Sequence, residues 1–336
     1  MDSLTHIVLG SCIGEAFFKK GVGKKAMFWG ALAQSIPDID FIAAFWLRPT
    51  GNLLAHRGFT HSILFGLLIV PLFAFTADRV HKPHNITRRA WLIFFGTEVF
   101  VHLLIDGFNN YGVGWLEPFS HTRFSFNTIY VADPFFSVWP AIAFVFLIIL
   151  NRRHQWRRFW WKFGVFIPVV YLLYCCTNKV RIDNEVRKAI TGQNIPNQRY
   201  FTTPAPLQNW LWYIVSGDDR GYYVAYRSLF DRQKDIQFQY FPRNDSLLLP
   251  VSGHEDLQKL IRFSKQFYTI EKWNDTLVFN DLRFGQIIGW ENPQAKFVFH
   301  YYLQYPENNK LVVQRGRFAK WDWTVLKNFL KRVKGN

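Results

Sequence analysis

The chain has 336 residues, of which 49% are hydrophobic and 19% aromatic, and its formal net charge is +16. This apolar fraction supports a substantial core, while the spacing of Cys12, Cys175 and Cys176 matches neither a disulfide framework nor a zinc knuckle. The strongly positive charge predicts an anionic partner, either nucleic acid or an anionic membrane surface.

The positions of the basic residues decide between these partners. The densest runs lie in short gaps between apolar segments: Lys19 and Lys20 with Lys24 and Lys25, Arg88 with Arg89, and Arg152 and Arg153 with Arg157 and Arg158. Cytoplasmic loops of multi-pass membrane proteins have this pattern. We therefore expect a lipid bilayer as partner and no nucleic acid.

Six apolar segments precede residue 178, at 4–18, 26–47, 62–77, 90–105, 134–150 and 160–177. They predict a membrane all-α bundle of about six helices. With basic loops 19–25, 78–89 and 151–159 inside, loops 48–61 and 106–133 lie outside, as do the N-terminus and everything after residue 178. No cleavable signal peptide is visible at the N-terminus.

Ionisable residues inside this apolar half gather near the predicted outer face. They are His6, Asp38, Asp40, His56, His61, His102 and Asp106. Such residues at membrane depth normally face a protein interior or a watery cavity and mark function. Imidazole and carboxylate without a nearby cysteine favour zinc, manganese or iron over metals that prefer soft ligands.

The spacing within this group allows more than one interpretation. His102 and Asp106 are four residues apart, so on a helix they share one face. They could both bind one ion, be a ligand and the residue that orients it, or be a hydrogen-bonded pair at a helix end. Asp38 and Asp40 would point to opposite sides of a regular helix unless Pro37 breaks it. An Asp-x-Asp by itself is usually a solvated turn, but an apolar segment makes that unfavourable.

The segment from His56 to Ser62 reads as a turn followed by the start of a helix. Gly58 is expected to form the turn and Thr60 to cap the helix, so that both imidazoles converge. Arg57 suits a phosphate or carboxylate oxygen, or else a lipid headgroup at the interface.

The loop 106–133 contains a second polar cluster. His121 and Arg123 are candidates for holding an anionic substrate, and the alternative is that they are ordinary loop residues. No Walker loop, dinucleotide fingerprint or Gly-x-Ser-x-Gly elbow is present in the sequence.

After residue 179 the pattern changes to short aromatic and β-branched runs separated by turn residues. These predict strands at 210–215, 222–226, 236–241, 276–279 and 297–302, with helices at 254–267 and 323–333. The sequence thus predicts a membrane domain at 1–178 and a small extramembrane α+β domain at 179–336, on the outer side.

Several short motifs occur together in the first half of the chain. They are the opening MDSLTH, then PDID at 37–40, HRGFTHS at 56–62, HLLID at 102–106, NYG at 110–112 with PFS at 118–120, and DP at 133–134. Together these motifs resemble the YdjM-like family of inner-membrane-associated, metal-dependent hydrolases. The resemblance covers about residues 1 to 178 and implies a multi-pass protein of the bacterial inner membrane. The family is also described as LexA-binding, that is, binding a DNA-damage repressor, and no residue pattern here predicts this.

The family is in turn similar to the zinc-dependent phospholipase C and P1 nuclease group. That likeness implies one to three zinc ions bound by His6, Asp38 or Asp40, His56, His61, His102 and Asp106. The tryptophan ligand at the mature N-terminus of that group has no counterpart here.

These observations favour a membrane-bound hydrolase of a phosphoester, such as a phospholipid headgroup. Asp38 or Asp40 would act as ligand or base, and Arg57 and Arg123 would hold the phosphate. The alternatives are a non-catalytic scaffold stapled by metal and, less favoured, a transporter, because the late spans lack polar residues leading inward.

Overall fold

The computed structural model describes residues 1–18, 22–81, 86–233, 235–251, 255–304, 309, 318 and 321–335. Lys19, Lys20 and His254, which belong to predicted features, lie outside the described residues. The chain divides into two units, one made of Met1–Ala43 and Ala55–Cys175 and the other of Ala44–Leu54 and Cys176–Asn336. The sequence does not predict that the short segment Ala44–Leu54 joins the second unit.

The first part of the chain is helical. Its helices are α1 (Ser3–Phe18), α2 (Lys24–Ser35), α3 (Pro49–Ala55), α4 (Ile63–Val80), α5 (Arg88–Asp106), α6 (Pro134–Ile149) and α7 (Arg157–Gly192), with 3-10 helices at Pro37–Phe45 and Phe59–His61. Close contact between α1 and α2 depends on Gly10 and Gly30, because a Cβ on either would collide with the carbonyl of the other.

Two of the described helices, α4 and α7, are long and apolar enough to cross a membrane. Helices α1 and α6 are apolar, but each has only 16 residues, or about 24 Å against a hydrocarbon core of about 30 Å. A six-helix membrane bundle is therefore not confirmed.

The segment 26–47 differs from the single helix that was expected. Helix α2 ends at Ser35 and a 3-10 helix begins at Pro37, because proline has no N–H to continue the α-helical hydrogen bonds. Helix α5 ends at Asp106, one residue beyond the predicted segment 90–105. The ends of α2 and α5 both lie beside the polar residues discussed below.

The turn before α4 also differs in detail. The turn was expected at Gly58, but Gly58 has a φ of −86° and the preceding Arg57, with a φ of 57°, takes the left-handed conformation. Ser62 rather than Thr60 caps α4, since its side chain accepts a hydrogen bond from the Phe65 amide.

The second unit is built around two antiparallel sheets. One has the order β1 (Arg199–Pro204), β2 (Leu211–Gly217), β3 (Gly221–Ser228), β4 (Gln239–Pro242), and the other β5 (Tyr268–Trp273), β6 (Thr276–Gln286), β7 (Phe297–Tyr302). Side chains of both sheets, including Val215, Tyr222, Leu282 and Phe297, form one apolar cluster. Helices α8 (Glu255–Phe263) and α9 (Trp323–Val333) complete the predicted α+β fold.

Candidate metal centre

Four side chains from three parts of the helical unit converge on one point. Asp38 comes from the 3-10 helix after α2, His61 from the turn before α4, and His102 and Asp106 from the last turns of α5. One ligand atom from each lies within 4.8 Å of every other. His61, His102 and Asp106 are fully buried, and the Asp38 side chain is 15% exposed.

The second nitrogen of each imidazole has a partner outside the centre. His102 Nδ1 lies 2.6 Å from the Gln34 backbone oxygen, which can only accept a hydrogen bond. His61 Nδ1 lies 3.4 Å from Asp40 Oδ2 and 3.2 Å from Thr60 Oγ1. Metal-binding histidines are commonly oriented by a carbonyl or carboxylate in this way. When the proton of each neutral imidazole lies on Nδ1, the lone pair on Nε2 is available to a metal ion.

These two Nε2 atoms face each other at 3.2 Å. Asp38 Oδ1 and Asp106 Oδ2 each lie 3.4 Å from His61 Nε2 and 3.8 Å from His102 Nε2. Ligands about 2.0–2.2 Å from a tetrahedral zinc ion are about 3.3–3.6 Å apart. The spacing therefore fits a divalent ion, and the cluster could bind one.

The electrostatics of the centre also favour a cation. Asp106 Oδ2 is buried with no hydrogen-bond partner among the described residues, although Arg57 Nε lies 3.2 Å from it. In the loop before α4, burial alone would lower the pKa of His61, but the nearby carboxylates of Asp106 and Asp38 raise it above its ordinary value. Positive charge is thus stabilised between the carboxylates.

The other three predicted ligands surround these four: His6 and Asp40 each contact at least one of them, and His56 contacts Asp40. His6 Nε2 is 3.2 Å from Asp106 Oδ1, and its Nδ1 is 3.1 Å from Gln34 Oε1. His56 Nδ1 is 3.2 Å from Asp40 Oδ1, and the His56 side chain is 42% exposed. Direct binding of metal by His6, Asp40 or His56 stays a prediction.

The two predicted phosphate-binding arginines differ in their surroundings. Arg57 is buried, and its guanidinium donates to Asn109 Oδ1 at 2.7 Å and to the Met1 carbonyl at 3.1 Å. Arg123 is partly exposed and donates to the His56 carbonyl at 2.9 Å. His121 is exposed and pairs with Glu117 at 2.8 Å. Of these side chains, Arg123 combines exposure with a position beside the centre.

Sequence reasoning missed several polar residues around the site. Gln34 is fully buried beside His6, and Glu98 is fully buried beside Gln34. The Met1 amine pairs with Asp106. The signal that pointed to Asp38 and His102, a polar side chain in an apolar segment, would also have found Gln34 and Glu98. The Met1 amine and the Asn109 side chain gave no such signal, because neither residue lies inside an apolar segment.

The chain thus combines a helical unit, two of whose described helices are long and apolar enough to cross a membrane, with a His/Asp cluster that could bind a metal ion. The family model described as "YdjM inner membrane protein" matches residues 1–182, and the chain belongs to this family. LexA binding and a likeness to phospholipase C are not shown.

Two curated relatives are similar to the chain. The inner membrane protein YbcI of Escherichia coli (strain K12) is 33% identical over 123 residues, which cover 36% of this chain and 69% of YbcI. The uncharacterized protein YfhP of Bacillus subtilis (strain 168) is 33% identical over 180 residues, which cover 45% of this chain and 51% of YfhP. No solved structure matches the chain.

Proposed function

We propose that the chain is a membrane-bound, metal-dependent hydrolase of a phosphoester such as a phospholipid. Asp38, His61, His102 and Asp106 would hold the ion, with zinc preferred and manganese or iron as alternatives. When bound, such an ion supplies Lewis acidity, which polarises a phosphoryl oxygen and lowers the pKa of bound water.

The observation that carries metal binding is the pair of facing Nε2 atoms between two carboxylate oxygens. Two buried imidazole lone pairs at 3.2 Å repel each other unless a cation or proton lies between them. Burial of the two carboxylates is costly without the same compensation. A divalent ion balances both.

The pair of His56 and Asp40 favours hydrolysis over a purely structural role. His56 is half exposed at the edge of the centre, with its ring centroid 6.5 Å from that of His61, and Asp40 orients its Nδ1. This arrangement suits a group that takes or gives a proton at Nε2. A metal that only staples helices does not need it.

The edge of the centre favours a lipid substrate. Leu4, Ile39, Phe41 and Phe59 are large, exposed apolar side chains that alternate in sequence with the site residues. They would contact acyl chains, while the partly exposed Arg123 would meet the phosphate. A headgroup would then reach the centre laterally, from the bilayer.

We also propose that residues 1–178 form the membrane domain, and that the α+β domain, 179–336, lies on the periplasmic side of the inner membrane. The support is the distribution of the basic residues, which predicts cytoplasmic loops at 19–25, 78–89 and 151–159.

A non-catalytic scaffold is the second candidate, and one observation favours it. Four protein ligands complete a tetrahedral set, and structural zinc sites are closed whereas catalytic sites keep one position for water. In a hydrolase, Asp38, which is the only partly exposed side chain of the four, would have to move away from the ion so that water could bind in its place.

The two candidates differ in the behaviour of His56. We expect zinc and turnover of phosphodiesters or phospholipid vesicles in the detergent-purified protein, loss of both in His61→Ala, and loss of turnover alone in His56→Ala. His154→Ala is the matched control because His154 is an exposed histidine in the segment between α6 and α7, in a loop predicted to lie on the opposite side of the membrane, and it should keep both. Stoichiometric zinc without turnover on either substrate would favour the scaffold.

A further inference from the structure

A buried chain of hydrogen bonds leads away from Asp106 into the apolar part of the helical unit. His6 Nε2 lies 3.2 Å from Asp106 Oδ1, and His6 Nδ1 lies 3.1 Å from Gln34 Oε1. Gln34 Nε2 then donates to Glu98 Oε2 at 3.1 Å. All four side chains are fully buried, so solvent does not compete for these contacts.

Gln34 holds two different imidazoles at once. Its side chain contacts His6, and its backbone oxygen accepts from His102 Nδ1 at 2.6 Å. That oxygen is available because α2 ends at Ser35, and the last carbonyls of a helix have no partner within it. One residue therefore fixes both His102 directly and Asp106 through His6.

Glu98 ends the chain in a way that packing alone does not explain. It lies in α5, two turns before Asp106, among apolar neighbours such as Phe94, Phe95 and Val99. Its Oε1 has no hydrogen-bond partner among the described residues. Burial of a carboxyl group is unfavourable and needs compensation. The hydrogen bond from Gln34 therefore points to a role for Glu98 in holding the Gln34 side chain.

We infer that Gln34 and Glu98 are positioning residues. They act through His6 to hold Asp106, and the Gln34 carbonyl holds His102, in the geometry that binds metal. This inference rests on the proposed metal centre and assigns His6 to orientation instead of direct ligation. Partners of this kind fix the direction of a ligand's lone pair, and their loss typically lowers metal affinity about 10–100-fold.

The test measures zinc affinity by chelator competition in the detergent-purified full chain, together with the visible spectrum of the cobalt(II) form. Gln34→Met keeps the size and the backbone carbonyl but removes the contact with His6, and we expect about 10–100-fold weaker zinc binding and an altered cobalt spectrum. Glu98→Leu should shift both in the same direction by less.

Two further variants separate positioning from folding. The exchange Gln34→Glu with Glu98→Gln keeps a donor and an acceptor between the two positions, and it should restore most of the affinity. Thr97→Val is the control on the same helix, because Thr97 bonds only to the Ile93 carbonyl among the hydrogen bonds described, and it should change nothing.

If Gln34→Met and Glu98→Leu both keep the zinc affinity and cobalt spectrum of the wild-type chain, the inference is wrong, while the metal centre still stands. Failure of the wild-type chain to bind zinc or cobalt would overturn the metal centre and this inference together. If Gln34→Met is lost from the membrane fraction, Glu98→Leu and the exchange variant decide the question.

Discussion

His61 and His102 come from different helical elements, yet their Nε2 atoms lie 3.2 Å apart inside the helical unit. On the Nδ1 side of each ring lies an oxygen that can accept a hydrogen bond from Nδ1, the Gln34 carbonyl for His102 and Asp40 for His61. Asp38 and Asp106 lie on either side of the pair at 3.4–3.8 Å. A cation shared by these side chains, as proposed above, would account for the burial of so many ionisable groups here.

Asp38 and Asp106 should respond differently to loss of charge. Asp106→Asn leaves Arg57 and the Met1 amine without their buried partner, so we expect a loss of stability of about 3–5 kcal/mol along with the metal. Asp38→Asn should lose metal affinity with little change in melting temperature, because Asp38 is partly exposed. Thermal unfolding in detergent and zinc analysis check this, and equal melting temperatures for the two variants would contradict it.

The ion pair between Glu15 and Arg157 should stabilise the fold without affecting the metal. Arg157 donates to both Glu15 oxygens at 2.6–2.7 Å, and both side chains are buried. We expect Arg157→Met to cost about 3–5 kcal/mol because it leaves Glu15 unpaired.

The double variant Arg157→Met with Glu15→Met is the control for this pair. It removes both charges, so it should melt at a higher temperature than the single variant. Zinc per folded chain should be unchanged in both, since Glu15 lies nine residues, or about 13 Å, along α1 from His6. Reduced zinc in the folded double variant would show that the two ends are coupled.

Zinc binding should weaken with acidification. An imidazole must be neutral to bind metal, and the pKa of an unperturbed histidine is about 6.5. The raised pKa of His61 in the metal-free chain means that protons already compete at higher pH, so affinity should rise with pH through the range from about 6 to 8. Chelator competition at several pH values measures this, and a flat profile would argue against histidine ligands.

The proposed orientation predicts opposite accessibility for two exposed positions, Arg152 and Lys188. In a background with the three native cysteines replaced by alanine, Lys188→Cys should react with a membrane-impermeant maleimide in intact spheroplasts. Arg152→Cys should react only after lysis. The reverse pattern would place the C-terminal domain in the cytoplasm.

Local patterns in the sequence predict part of this architecture well. His102 and Asp106 share a face of α5 as their spacing requires, and α9 and β7 have the predicted bounds, 323–333 and 297–302. Helix α7, in contrast, continues to Gly192 beyond the expected end near 177. Hydropathy falls there, but Ile182, Val186 and Ile190 keep a helical apolar stripe that is fully buried.

The arrangement of the site depends on contacts that no local pattern contains. Asp38 and Asp40 were expected on opposite sides of a helix, and in the structure they contact opposite nitrogens of the same imidazole, His61.

Two strands of the second unit were not predicted. The strand β1 was missed because it ends in a proline, and β5 was missed because it follows directly on a predicted helix. Tertiary packing determines these features.

Elemental analysis of the detergent-purified chain beside a His61→Ala/His102→Ala double variant tests the metal centre most directly. The proposal predicts stoichiometric zinc, or manganese or iron in its place, in the wild-type chain and none in the variant, with both proteins retained in the membrane fraction. A wild-type chain free of metal after expression with zinc, manganese and iron supplied, or a variant that keeps its metal in full, would contradict the account.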